Sequence, residues 1–221
     1  MKSSIKWIYF LLLILISIVF ITSCDQEIEN SQPNKDVEIG PAGGYIFYEN
    51  DNYLIDGWRY LEAAPMGWYK NINDEWETND DPGIPFGFYW SSSSESFEEV
   101  GTTDTIGSGR GNTEALVTAM GDEAYTRESS SAEKSLYAAK VAYDYNGGGY
   151  SDWFLPSKSE LDLMYQNLHK NELGGFLEGY YAYWSSSEYN QRLACYQSFS
   201  SGDQSNNNRE CKYRVRPIRA F

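Results

Sequence analysis

Asp152-Trp153-Phe154-Leu155-Pro156-Ser157-Lys158-Ser159-Glu160-Leu161 carries the clearest local structural signal in the chain. Pro156 precedes a Ser157–Glu160 spacing of capping-box form, in which the hydroxyl and the carboxylate satisfy each other's exposed amide groups. Leu161, Met164, Tyr165 and Leu168 follow at helical spacing, and Gly174-Gly175 lie beyond the end. The pattern predicts a helix whose apolar stripe faces a core rather than a cofactor.

Downstream, strands are expected at 181–185, 194–199 and 213–218. Upstream, Ser131 is placed to cap a helix that ends near Asn146-Gly147-Gly148-Gly149, and Asn112 or Thr113 to start a short one through Met120. Gly43-Gly44 opens the apolar run Tyr45-Ile46-Phe47-Tyr48, and the turn after it leads to Trp58-Arg59-Tyr60-Leu61, which together read as a strand pair. Residues 71–85 are acidic and turn-rich, hence a surface loop. Aromatics form 16% of the chain and strongly helical stretches are few, so the expectation is a loop-rich α+β domain with aromatic packing. Phe88-Tyr89-Trp90-Ser91-Ser92-Ser93 echoes Tyr183-Trp184-Ser185-Ser186-Ser187, which suggests two equivalent strands meeting in one core rather than a repeat array.

The amino terminus has a different composition. Lys2 and Lys6 precede an apolar run from Trp7 to Ile21, then Thr22-Ser23-Cys24 and an abrupt change to Asp25-Gln26-Glu27. This is the charged, apolar and small-residue order of a secretory signal, and it is shorter than the about 20 apolar residues of a membrane span. Ile21-Thr22-Ser23-Cys24 resembles the bacterial lipobox, which implies cleavage before Cys24 and an anchor of several acyl chains on it. The expected organisation is signal 1–23, a lipidated flexible tether 24–38 broken by Pro33, and one domain over 39–221. The net charge of −15 becomes −17 once the two signal lysines are removed, which argues against a nucleic-acid partner.

With Cys24 assigned to lipid, Cys195 and Cys211 remain in an oxidising compartment. A hairpin folded about Gly202-Asp203 sets them opposite one another, since both lie eight residues from 203, and predicts a disulfide. Two separate thiols are the alternative.

The decisive stretch recurs in a wider pattern. Residues 152–161, Tyr183-Trp184-Ser185-Ser186-Ser187-Glu188 and Arg214-Val215-Arg216-Pro217-Ile218-Arg219-Ala220-Phe221 resemble the bacterial family named for the C-terminal domain of the Legionella collagen-like adhesin. Residues 40–48, 58–65 and 107–113 look like the longer form found in lipoproteins, so the resemblance spans 40–221 in consistent order. It implies a C-type-lectin-like fold: a twisted, mostly antiparallel sheet with two or three short helices and long loops. The same fold group holds the formylglycine-generating enzyme, and the named adhesin is associated with sulfated glycans and host attachment.

Catalysis finds little support. The formylglycine enzymes use a pair of nearby cysteines, whereas Asn206 stands where the partner of Cys211 would fall. His169 is the one histidine and sits at a helix end, and the serine clusters lack a nucleophile context. No cofactor is expected. Calcium is the candidate ion, with Asn73, Asp74, Asn79, Asp80 and Asp81 as oxygen donors, although the short sugar-binding motif of calcium lectins is absent from the domain. For an anionic glycan the candidate surface is Lys212, Arg214 and Arg216, which alternate along the last strand, with Trp184 alongside; the competing reading pairs those arginines with carboxylates in the core. Trp68, Tyr69, Trp76 and Tyr189 are candidate stacking platforms for a neutral sugar.

The expectation is therefore a non-enzymatic envelope lipoprotein, at the outer membrane or cell surface, binding a host or envelope glycan or protein in an adhesion role. An envelope assembly protein without a small ligand is the alternative, and an enzyme stands third.

Overall fold

The computed structural model describes residues 38–69, 88–90, 99–121, 137–177 and 182–221. The signal 1–23, Cys24, the tether through residue 37, the Ser131 cap, and the acidic loop with Asp74, Asp80 and Asp81 lie outside the described residues.

Strand β1 (Tyr45–Glu49) pairs antiparallel with β2 (Tyr60–Ala63), with Tyr45 opposite Ala63, Glu49 opposite Tyr60 and a bulge between Ile46 and Tyr48. Between them the turn contains one unexpected helical turn, α1 (Tyr53–Asp56), closed by Gly57 at φ +78°, a conformation glycine takes without steric cost. Glu62, fully buried on β2, organises the segment before β1. Its carboxylate accepts from the Ala42 amide at 3.0 Å and the Gly44 amide at 2.8 Å. The backbones approach so closely that a Cβ on Gly44 would lie 1.8 Å from the Ala63 carbonyl oxygen.

Helix α2 (Gly109–Met120) buries Gly109, Asn112, Thr113, Leu116 and Met120, one face at helical spacing. It starts ahead of the expected Asn112 or Thr113. Helix α3 (Ala138–Asp144) packs against it through Ala138, Ala139, Val141 and Ala142. Helix α4 (Lys158–Asn167) forms the expected capping box: Ser157 Oγ accepts from the Glu160 amide, and Glu160 Oε2 accepts from the Ser157 amide at 2.7 Å. A 3-10 turn, His169–Asn171, follows α4, with the His169 ring among Tyr165, Phe176 and Phe199. No helix among the described residues is long and apolar enough to cross a membrane.

The second half is a meander of β4 (Ala182–Glu188), β5 (Leu193–Ser198) and β6 (Gln204–Asn208), all antiparallel. The hairpin turns earlier than the sequence spacing suggests, at 199–203, so Cys195 lies opposite Asn206 rather than Cys211. Both cysteines are free thiols. The polar run after Asp203 is strand, because β5 supplies backbone partners that a polar sequence accepts.

The expected strand 213–218 is divided. Strand β7 (Lys212–Tyr213) pairs with β3 (Phe88–Tyr89), and β8 (Ile218–Ala220) pairs with β2, giving the order β1-β2-β8. Pro217, which has no amide proton to continue a ladder, separates them. These elements define an α+β architecture, and Val37–Phe221 forms one compact unit.

Two apolar clusters fill it. Trp153 and Trp184 join Trp90, Leu116, Tyr137 and Val215 in one, while their neighbours Phe154 and Tyr183 join Leu61, Met164, Phe199 and Ile218 in the other. Successive side chains of extended backbone point to opposite faces, so each aromatic pair serves both clusters at once. The echoed Trp90 and Trp184 do meet in one core, and Trp90 Nε1 donates to the Ser185 carbonyl at 2.6 Å, though their strands pair with other partners.

Candidate functional site

Of the two readings of the last strand, the exposed basic surface does not form and the arginines lie inside. Arg214 and Arg216 are buried, Trp184 is fully enclosed, and Lys212 is half-buried. Arg216 donates to the carbonyls of Ala64 at 3.1 Å and Gly174 at 2.8 Å and lies over the Phe176 ring. The Trp184 ring packs 4.5 Å from Tyr213. A guanidinium taken out of water requires acceptors, and the returning C-terminal segment finds them in neighbouring backbone. Arg209 behaves alike, 3.0 Å from Glu188 and stacked on Trp90. The arginines thus close the core instead of lining an anion site.

The serines of 185–187 are likewise spent inside. Ser185 Oγ donates to the Cys195 carbonyl, Ser186 Oγ accepts from Asn112, and Ser187 Oγ donates to the Thr103 carbonyl. Of the candidate sugar platforms, Trp68 is buried, Tyr69 is half-buried against it, Trp76 lies outside the described residues, and Tyr189 is exposed.

A different concavity is the candidate site. A groove of about 440 Å³ lies between α1, the first turns of α2 and the end of β8, lined by Asp56, Trp58, Arg110, Glu114, Phe154 and Glu160 among others. That volume falls within the range of small-ligand pockets.

Each wall has a local cause. Asn50, buried at the end of β1, donates to Asp56 at 2.9 Å and to the Trp58 carbonyl at 3.2 Å, which fixes α1 beside Trp58. Trp58 leans on Tyr48, with ring centroids 6.1 Å apart. The opposite wall hangs on Glu160: its second oxygen accepts from the Gly107 amide at 2.8 Å, tying the loop before α2 to the start of α4. Burial pushes the Glu160 carboxyl above its ordinary range, while the amides of Ser157, Gly107 and Gly109 pull the other way. Ser157 Oγ adds a bond to the Thr105 carbonyl at 2.8 Å.

Arg110 projects from α2 over the Phe154 ring, donates to the Ala220 carbonyl at 3.3 Å and lies 3.8 Å from Asp152. Its charge is therefore largely matched from within. Asp56 and Glu114 are exposed at the rim. The arrangement brings two aromatic rings, three carboxylates and one guanidinium to a single concavity.

Sequence reasoning assigned none of these residues to a site. Trp58 and Arg110 both lie in segments that carry the family resemblance, but about fifty residues separate them, and only the fold brings them together. Among the described residues no three His, Cys, Asp or Glu converge as a metal site.

The architecture defines the protein at the level of an α+β domain, with a groove among its described residues. No protein-family model and no curated protein matches the chain.

Proposed function

We propose that this chain is a non-enzymatic envelope lipoprotein whose domain binds a glycan or protein ligand, in an adhesion role, through the groove beside Trp58. The groove carries the reading: it is a concavity of ligand size with two aromatic residues, Trp58 and Phe154, and four charged ones, Asp56, Arg110, Glu114 and Glu160, on its walls. Lipid attachment at Cys24 and placement at the outer membrane or cell surface rest on the signal and the lipobox-like run. A C-type-lectin-like fold is supported by the mostly antiparallel pairing, short helices and long connections, together with the motif resemblance over 40–221. The use of Ser185, Ser186 and Ser187 as internal hydrogen-bond partners favours binding over hydrolysis.

The test is a glycan-array and protein-partner screen of the purified chain, with calcium and with chelator, at low and moderate salt. Saturable binding that Trp58→Ala removes is the expected result. Binding abolished by chelator assigns the ligand to calcium and the 73–81 acidic loop instead of the groove. Silence against every glycan and every envelope protein sinks the proposal.

A further inference from the structure

The most exposed large apolar side chains among the described residues lie beside this groove. Leu54 is 84% and Ile55 85% exposed, both on α1, whose next residues Asp56, Gly57 and Trp58 line the groove. Ile106 is 40% exposed and precedes Gly107, which lines the groove with Trp58. The turn does not need Leu54 or Ile55 for its own stability: α1 buries no residue and is held by Asn50. Two adjacent aliphatic side chains left in water beside a built concavity mark an interaction surface.

The kind of partner follows from the chemistry. Aliphatic side chains give a sugar no flat face to stack on, whereas they bury well against apolar residues of a polypeptide. The charges at the rim are also one-sided. Arg59 is matched by Glu49 at 2.8 Å and Arg110 by Asp152 and a carbonyl, which leaves the exposed carboxylates of Asp56 and Glu114 facing outward on a chain of net charge −15. Asp56 accepts a hydrogen bond from Asn50, but that donor is neutral and leaves the negative charge in place.

We infer that the groove receives a basic side chain from a partner protein, held between Trp58 and the carboxylates of Asp56 and Glu114, with apolar residues flanking it in the partner covering Leu54 and Ile55. This rests on the ligand-binding reading of the groove and selects its protein branch. A lysine or arginine gains from both the ring face and the carboxylates, and its complementarity to an acidic protein speeds encounter.

The experiment uses the full chain in detergent and two blocked peptides, Leu-Lys-Leu-Leu and Leu-Glu-Leu-Leu, followed by fluorescence anisotropy, beside the glycan array. The lysine peptide binds saturably, the glutamate peptide does not, and added salt weakens the complex. Glu114→Lys and, separately, Leu54→Asp with Ile55→Asp each weaken binding by roughly tenfold or more, with the thermal midpoint unchanged because all three side chains are exposed. Equal binding of both peptides, or lysine-peptide binding indifferent to these substitutions, overturns the inference. Glycan binding lost with Trp58→Ala while neither peptide binds also overturns it, but leaves the wider ligand-binding reading standing. Loss of both signals ends both.

Discussion

Arg219 closes on Asp152 through paired hydrogen bonds, Nε to Oδ1 at 2.9 Å and Nη2 to Oδ2 at 3.1 Å, while its Nη1 reaches Glu62 at 3.4 Å. The guanidinium also stacks on Tyr150, 3.8 Å from the ring centroid. One side chain on β8 thereby joins β2 to the segment that leads into α4. Two of the motifs that carry the family resemblance meet at this contact, and a third supplies Glu62.

Acid should loosen this junction. Burial works against ionised Asp152, but the Arg219 hydrogen bonds and charge outweigh it and hold the carboxyl below its ordinary range. A depressed folded pKa means that the stabilisation is complete above the unfolded value, near pH ~3.9, and is lost as pH falls through the lower folded value. Unfolding in urea from about pH 6 to about pH 2 should show a shallower acid loss for Asp152→Asn than for the parent chain. Equal slopes would mean the pair contributes nothing.

Ser157→Ala removes the α4 cap and the bond to Thr105 together. The expected cost is about 1–2 kcal/mol. Because the same serine secures the loop that walls the groove, hydrogen exchange at residues 105–108 should rise along with that of the first turn of α4. Faster exchange in the helix alone would separate the groove wall from the cap.

Gly44→Ala should be among the most damaging small substitutions, since its Cβ would overlap the Ala63 carbonyl. Rigid backbone lies on the far side of that contact, so the loss should reach about 2 kcal/mol or more by denaturant titration. Gly111→Ala, with open space at its Cβ, is the control and should leave stability unchanged or raised.

Trp184→Ala should cost about 3–5 kcal/mol, as expected for removal of a fully enclosed ring. Leu54→Ala, on the exposed turn, should stay within about 0.5 kcal/mol. Unchanged stability for Trp184→Ala would contradict its place in the core.

The two thiols should titrate as separate groups. Burial raises Cys195 first, with Asp104 adding to it, and burial raises Cys211, so both resist forming thiolate. A thiol reagent should label Cys195 and Cys211 slowly in the native chain and modify both on unfolding without reductant. Failure to label either in denaturant would show that the pair is bonded.

Sequence alone determined the features set by near neighbours. The Ser157–Glu160 box, the first strand pair and the helix ending at Met120 follow from capping, turn chemistry and apolar period, each acting over a few residues. The α+β class followed from the same local signals. Tertiary structure alone decided which polar residues face inward. Alternation along 212–216 left a basic face and buried arginines both open, and the fold buries Arg214 and Arg216; for Arg216 the carbonyls of Ala64 and Gly174, from distant segments, are there to meet it. The groove has the same origin: Asp56, Trp58, Arg110 and Glu114 form one surface only because β8 returns to β2 and Glu160 ties the loop before α2 to α4. A cavity wall is a relation between segments far apart in the chain, and no periodicity within one segment encodes it.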